Sequence, residues 1–261
     1  MDWTKNIKGL LIDLDGVIYE NDELIEGAAQ KLIALRKAGI GIRFVTNTST
    51  KPVDKIYEKL TSLGLEVEQS EIFSAVSATK AYLRTAGFRS FHFLVRDEVK
   101  AEIPPYPQEV DFTPEVVVVG DIGPMWDYAL MNKLFQWMMN GANLVVMHKN
   151  RYWQTKDGLT LDIGAFITGL EYATGKTAKV IGKPETTFFE TAINSLNLQK
   201  HEVAMIGDDI FSDIGGAQNT GIKSILVKTG KYRKDQVEQS GIEPDLVINA
   251  FKDLMIRSLN K

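Results

Sequence analysis

Short apolar runs and amphipathic stretches alternate along almost the whole chain, the pattern of strands and helices laid down in turn. Lys8 to Ile12 reads as a buried strand, followed by a helix from Gly27 to Ala38 that stops at Gly39. A second strand, Ile40 to Val45, ends in Thr46-Asn47-Thr48-Ser49. The helix after it has Pro52 in its first turn and Gly64 just past its end. Proline suits a first turn whose N–H groups go unpaired anyway, and glycine suits the left-handed cap.

In the middle of the chain Phe91 to Val95, Val116 to Val119 and Asn143 to Met147 read as strands. Pro104, Pro105 and Pro107 mark a loop, since proline cannot donate to a central ladder. Asp127 to Asn140 is an amphipathic helix whose Met131, Leu134, Phe135 and Met138 recur at helical spacing, a stripe that predicts core packing. Lys156-Asp157-Gly158 reads as a turn of the kind that closes a hairpin. Val180 to Pro184 then leads into a helix from Glu185 to Leu196. Val203 to Ile206 ends in Gly207-Asp208-Asp209, and Ser224 to Val227 and Leu246 to Ile248 complete the strands. The alternation predicts an α/β fold with a largely parallel sheet flanked by helices, and 261 residues leave room for an inserted second domain.

Bulk composition narrows the function. A net charge of −4 with a pI near 5.5 gives no support to nucleic-acid binding, which calls for a basic face. There are no cysteines, so disulfides, thiolate nucleophiles and Cys-type zinc sites are excluded, and an intracellular setting fits. The three histidines, His92, His148 and His201, lie far apart and form no metal-binding spacing. Met1 to Gly9 holds no signal-peptide core, and no apolar run approaches a membrane span. A cytoplasmic protein that does not engage membranes is the expectation.

The candidate chemistry sits at strand ends. Asp13 and Asp15 follow the first strand two residues apart, so their side chains share one side of the backbone, and Gly16 lets the chain turn away. Buried anions without a partner neutralise or recruit a cation. Three other strand ends carry complementary groups: Thr46 and Asn47, Lys183, and Asp208 with Asp209 and Asp213. Each alone has a bland reading, because Asp209 or Asp213 could cap a helix and Thr-Asn is common in turns. Together they suit phosphoryl transfer. Carboxylates hold Mg²⁺, Lys183 offsets charge, and Thr46 and Asn47 donate to phosphate oxygens.

In their order, Asp13-Leu14-Asp15-Gly16-Val17, Val45-Thr46-Asn47-Thr48, Gly182-Lys183-Pro184 and Gly207-Asp208-Asp209 with Asp213 resemble the four motifs of the haloacid dehalogenase (HAD) superfamily. The stretch between the second and third motifs is similar to the α/β C2-type cap of its NagD-like, nitrophenylphosphatase-type branch. Further segments narrow this to the subgroup that includes phospholysine/phosphohistidine/inorganic pyrophosphate phosphatases. They are His148-Lys149-Asn150-Arg151-Tyr152, Lys156 to Leu159, Leu170 to Thr174, Gly215 to Gln218 and Leu226 to Tyr232.

The resemblance implies a Rossmann-like core at 1–73 and 177–261, interrupted by a cap at 74–176. It implies Asp13 as nucleophile and Asp15 as general acid and base. Mg²⁺ would be bound by Asp13, the Asp15 backbone carbonyl and Asp208, with Asp209 and Asp213 in support. The phosphoryl group of a small phosphorylated substrate would be held by Thr46, Asn47, Thr48 and Lys183. Asp15 and the Asp208 group favour phosphate esters or anhydrides over carbon–halogen bonds. His148 and Arg151, after a cap strand, are candidates for choosing the substrate, with a loop bonded to its own backbone as the alternative; Val119-Gly120-Asp121 reads as a strand-ending turn. Relatives suggest a homodimer through the cap. Two other readings use the same residues: a phospho-accepting switch, and an idle scaffold that kept the fold.

Overall fold

A computed structural model describes residues 3–103, 113–155 and 158–255. The chain opens with β1 (Gly9–Ile12), the small strands β2 (Tyr19–Glu20) and β3 (Glu23–Leu24), α1 (Ala28–Lys37), β4 (Gly41–Thr46), α2 (Val53–Ser62) and β5 (Ile72–Ser74). It continues through α3 (Ala75–Thr85), β6 (Phe91–Leu94), α4 (Asp97–Glu102), β7 (Val116–Val119), α5 (Tyr128–Met139) and β8 (Asn143–Val146). Next come β9 (Tyr152–Thr155), β10 (Gly158–Leu161), α6 (Gly164–Thr174), β11 (Lys179–Val180) and α7 (Thr186–Asn194). The last elements are β12 (Val203–Gly207), α8 (Gly216–Thr220), β13 (Lys223–Val227), α9 (Lys234–Ser240) and β14 (Leu246–Ile248).

The chain forms two compact units. One takes Met1–Thr46, Ile56–Phe73 and Lys183–Lys261, and the other takes Asn47–Lys55 and Ser74–Gly182. The second unit runs on to Gly182 rather than stopping at Lys176, because β11 pairs in parallel with β8.

The first unit is built on a sheet with strand order β14-β13-β12-β1-β4-β5. β1 lies between β12 and β4, parallel to both, and all four of its residues are buried. Such a strand has both faces covered, which is why its sequence is a continuous apolar run rather than an alternation. Register sets the site: Ile12 lies opposite both Ile206 and Phe44. The residues that follow, Asp13 after β1, Asp208 after β12 and Thr46 at the end of β4, therefore emerge at one edge. In open parallel sheets this carboxyl edge is where ligands bind.

The second unit carries its own sheet, β11-β8-β7-β6, also paired in parallel. Val117, Val119, Leu144 and Val146 from its strands pack against Leu134, Trp137, Met138, Ile167 and Leu170. Met131 and Phe135 join from the edge of that cluster, so the predicted Met and aromatic stripe is core. The helix carrying it starts where Asp127 accepts a hydrogen bond from the Leu130 N–H at 2.7 Å. Strands β9 and β10 form an antiparallel hairpin. Lys156 and Asp157, like the three loop prolines, lie outside the described residues. No helix among the described residues is long and apolar enough to cross a membrane.

Sequence periodicity missed the small β2–β3 pair, whose two-residue strands are too short to show a period. It also missed the wide helical turn Ile210–Gly215, which starts on Asp209.

Candidate active site

The ladder from β1 runs one bond further, the Asp13 N–H donating to the Ile206 carbonyl at 3.0 Å. The Asp13 carboxylate is buried, Leu14 is packed into the core, and Asp15 returns to the open side. Gly16 then turns the chain at φ 80°, and its N–H donates to the Tyr19 carbonyl at 2.7 Å. The turn brings the Tyr19 hydroxyl to Asp15 Oδ2 as a donor at 3.2 Å. Burial and the charges of Asp15 and Asp13 hold that phenol well above its ordinary value, so it stays protonated. The protein packed around Asp15 raises its carboxyl too, against the pull of Lys59 and Lys231.

Lys183 is the centre of the site. Its ammonium is 2 % exposed and lies 2.8 Å from Asp13 Oδ1 and 2.7 Å from Asp213 Oδ1. It also donates to the Val45 carbonyl at 3.3 Å. Burial alone would strip its proton, but the two carboxylates outweigh that and hold the amine above its ordinary value. A lysine buried with two carboxylates is not the solvated surface residue that a Gly-Lys-Pro turn usually carries.

Lys183 alone is too little charge for the anions gathered here. Asp13, Asp208 and Asp213 each bring a carboxylate oxygen within 4.8 Å of the others. Burial pushes Asp208 well up, and repulsion from Asp13 and Asp213 adds to it. Asp213, with no exposed surface, is pushed up to about 7 by burial and by Asp13 and Asp209, despite Lys183. Asp208 Oδ2 accepts from the Lys231 N–H at 2.7 Å, while Oδ1 is buried without a hydrogen-bond partner. A Cβ on Gly16 or on Gly230 would sit 2.0 Å from Asp208 Oδ2, so both glycines exist to let the carboxylate through. An orphaned buried oxygen among converging carboxylates is a donor set for a hard divalent cation such as Mg²⁺. The Asp15 side chain stands outside this convergent group.

Asp209 behaves differently from its neighbour. Its Oδ1 accepts from the N–H groups of Phe211 at 2.9 Å and Ser212 at 3.0 Å, capping the following turn. Burial would raise its carboxyl, yet Lys231 and those N–H groups prevail and lower it. Asp213 in turn accepts from the Asp209 N–H at 3.1 Å.

The remaining sequence candidates divide by location. Thr46 is buried at the end of β4. Asn47, Thr48, His148 and Arg151 belong to the second unit. There the Asn47 amide donates to Asn150 Oδ1 at 3.1 Å. His148 is not in a solvated loop: it is 3 % exposed, with Nε2 2.9 Å from Ser49 Oγ. Arg151 is exposed, and Lys149 pairs with Glu171. Asp121 accepts from the Gly123 N–H at 2.8 Å, the strand-ending turn that the sequence suggested.

A sequence model of the haloacid dehalogenase-like hydrolase family matches residues 10–105, and a HAD-hydrolase-like model matches 180–254. Human haloacid dehalogenase-like hydrolase domain-containing protein 2 is 38% identical over 245 residues, covering 94% of this chain and 93% of the relative. The chain belongs to the haloacid dehalogenase-like hydrolases. Zebrafish (Danio rerio) phospholysine phosphohistidine inorganic pyrophosphate phosphatase is 33% identical over 95% of this chain and 93% of its own. A p-nitrophenyl phosphatase from Archaeoglobus fulgidus shares the fold with a TM-score of 0.84 and 29% identity, covering 95% of this chain and 97% of that one.

As a haloacid dehalogenase-like hydrolase the chain has more at its site than its four motifs. Sequence reasoning missed Lys231, whose Nζ lies 3.6 Å from Asp209 Oδ2 and whose amine the surrounding aspartates hold above its ordinary value. It also missed Tyr19 and the spacing role of Gly230. The available signal was Lys228-Thr229-Gly230-Lys231 directly after β13, another polar run at the same sheet edge.

Proposed function

We propose that this hydrolase is a phosphatase of small phosphorylated compounds that works through an aspartyl-phosphate on Asp13. The observation that carries the reading is Lys183 bridging Asp13 and Asp213, next to the orphaned Asp208 oxygen. That arrangement suits a trianionic transition state, for which positioning and charge do most of the work. The relatives, phosphatases among them, support the same class.

In this reading the free oxygen of Asp13 attacks phosphorus while Lys183 holds the other, and the bond to the leaving oxygen breaks. Asp15, hydrogen-bonded by Tyr19, gives its proton to that leaving oxygen. It then takes a proton from the water that attacks the Asp13 phosphoryl group, releasing phosphate and restoring both carboxyls. Thr46, Asn47 and Thr48 hold the phosphoryl oxygens. Asp13, Asp208 and the Asp15 carbonyl would hold Mg²⁺, with Asp213 and Asp209 supporting. When bound, the ion supplies neutralising charge at the transferred group. Exposed Arg151 is the candidate for choosing among substrates. A cytoplasmic setting, consistent with the cysteine-free composition, and a homodimer through the inserted unit complete the proposal.

Phosphate release from p-nitrophenyl phosphate and pyrophosphate, with and without Mg²⁺, tests this against Asp13→Asn. Turnover should need the ion and fall by at least about 10³-fold in the variant. Full turnover by Asp13→Asn would end the covalent mechanism. Stable phosphorylation of the wild type without turnover would mean a phospho-accepting switch instead.

A further inference from the structure

The loop that follows Thr46 is laced to a second loop by side chains two residues apart on each. Asn47 Nδ2 donates to Asn150 Oδ1 at 3.1 Å, and Ser49 Oγ lies 2.9 Å from His148 Nε2. The two contacts run in opposite chain directions, as in one step of an antiparallel ladder. All four residues belong to the second unit.

Each end of the lacing is anchored further. Ser49 Oγ also accepts from the Asp121 N–H at 2.9 Å, so the hydroxyl is held from two sides. His148 Nδ1 faces Asp162 Oδ2 at 3.9 Å, and the other Asp162 oxygen accepts from the Ile163 N–H at 2.7 Å, just ahead of α6. The start of α6 clamps the same loop by its backbone. Asp162 N–H donates to the Arg151 carbonyl at 3.1 Å and Gly164 N–H to the Asn150 carbonyl at 3.0 Å. A Cβ on Gly164 would meet that Asn150 oxygen at 2.3 Å. On the far side, a Cβ on Gly182 would sit 2.5 Å from Asn47 Oδ1. The Asn47 carboxamide therefore has its nitrogen bonded and its oxygen walled.

We propose that His148 and Asn150 are positioning residues that hold the Asn47–Ser49 loop, and with it the Asn47 carboxamide, in one orientation. His148 on this account touches no substrate. It is buried, its Nε2 faces Ser49, its Nδ1 accepts from the Asn150 N–H of its own loop at 3.5 Å and faces Asp162, and it links the phosphate-gripping loop to the first turn of α6. This rests on the reading above that gives Asn47 a phosphoryl contact.

A positioning residue and a substrate contact separate in kinetics. Loss of positioning weakens the grip on the phosphoryl group that all substrates share. Loss of a contact alters the ranking of substrates. With the Mg²⁺-loaded full chain, His148→Ala and Asn150→Ala should raise KM for p-nitrophenyl phosphate and pyrophosphate by the same factor, about 10- to 100-fold. The inhibition constant of inorganic phosphate should rise in parallel, and the kcat/KM ratio between the two substrates should stay fixed. His148→Gln, which keeps a polar group near the ring nitrogen, should recover part of the loss.

A second measurement needs no activity. The side-chain ¹⁵N–¹H₂ resonances of Asn47 should shift or broaden in both alanine variants while the melting curve stays cooperative. Unchanged Asn47 resonances in folded His148→Ala, or a changed substrate ratio with an unchanged phosphate constant, would overturn the proposal. If the wild type hydrolyses neither substrate, the phosphatase reading fails, and the resonances still decide whether His148 positions the loop.

Discussion

At the scale of single residues the site is a count of charges, with Asp13, Asp208 and Asp213 converging and the buried ammonium of Lys183 paired to the first and last of them. Removing that ammonium leaves Asp13 and Asp213 buried without their ion-pair partner, so Lys183→Met should destabilise the fold by about 3–5 kcal/mol. Urea unfolding would measure it, and turnover should be lost with it. The same imbalance fixes a pH dependence. Asp208 and Asp213 bind protons in the folded chain at pH values where the unfolded chain, at 3.8, has already lost them. The stabilising effect of Asp213 is therefore complete below about 4 and disappears as pH rises through about 7, and that of Asp208 is lost in the same direction as its own raised carboxyl ionises, at no more than about 1.4 kcal/mol per pH unit for each group. In chelator, wild-type stability should fall across that window and Asp208→Asn should flatten the slope. Adding Mg²⁺ at pH 7.5 should restore what the wild type lost. A flat wild-type profile in chelator would mean that the carboxylates are neutralised some other way. The meeting of Asp13, Lys183 and Asp208 was legible in the sequence because polar groups ending several apolar runs complement one another as a set, though each alone has a bland explanation. Lys231 was not, because a lysine in a glycine turn usually faces solvent and only the fold shows its ammonium 3.6 Å from Asp209 Oδ2.

At the scale of elements, the loops do the discriminating and the strands supply a level edge. Gly16 and Gly230 both sit at positive φ with Asp208 threaded between them. Gly230→Ala adds a Cβ 2.6 Å from the Gly16 Cα as well as 2.0 Å from the carboxylate, and backbone cannot swing aside. It should cost more than about 1 kcal/mol and weaken Mg²⁺ binding, measured by calorimetry. Gly39→Ala, with open space around it, is the control for the dihedral cost alone. The helix starts are similarly specific. Ser74 accepts from the Ser77 N–H at 3.2 Å at the head of α3, so Ser74→Ala should lower stability by about 1 kcal/mol in thermal unfolding. Long periodic elements such as α5 and the all-apolar β1 and β7 were readable from spacing. The turn at Ile210–Gly215 was not, since its width follows from Asp209 capping two N–H groups and Asp213 bonding back, and neither contact leaves a periodic trace.

For the whole molecule, alternation of strands and helices predicted the α/β class, and the two mostly parallel sheets follow from it. Sequence could not show that Asn47–Lys55 sorts with the second unit, because that depends on Asn47, Ser49 and Val53 bonding to Asn150, His148 and Glu102 far along the chain. The order of strands has a further consequence for how the protein is made. β1 is fully apolar, and one of its two neighbours is β12, which begins at Val203. At synthesis rates of about 5–20 residues per second, β1 waits roughly 10–40 s for that strand to leave the ribosome. Until then one edge of this buried apolar strand has no ladder partner, and such edges recruit other chains. Nascent chains stalled before Val203 should therefore associate with holdase chaperones or aggregate, and chains released after Val227 should not, which a ribosome-stalling series with pelleting would read directly.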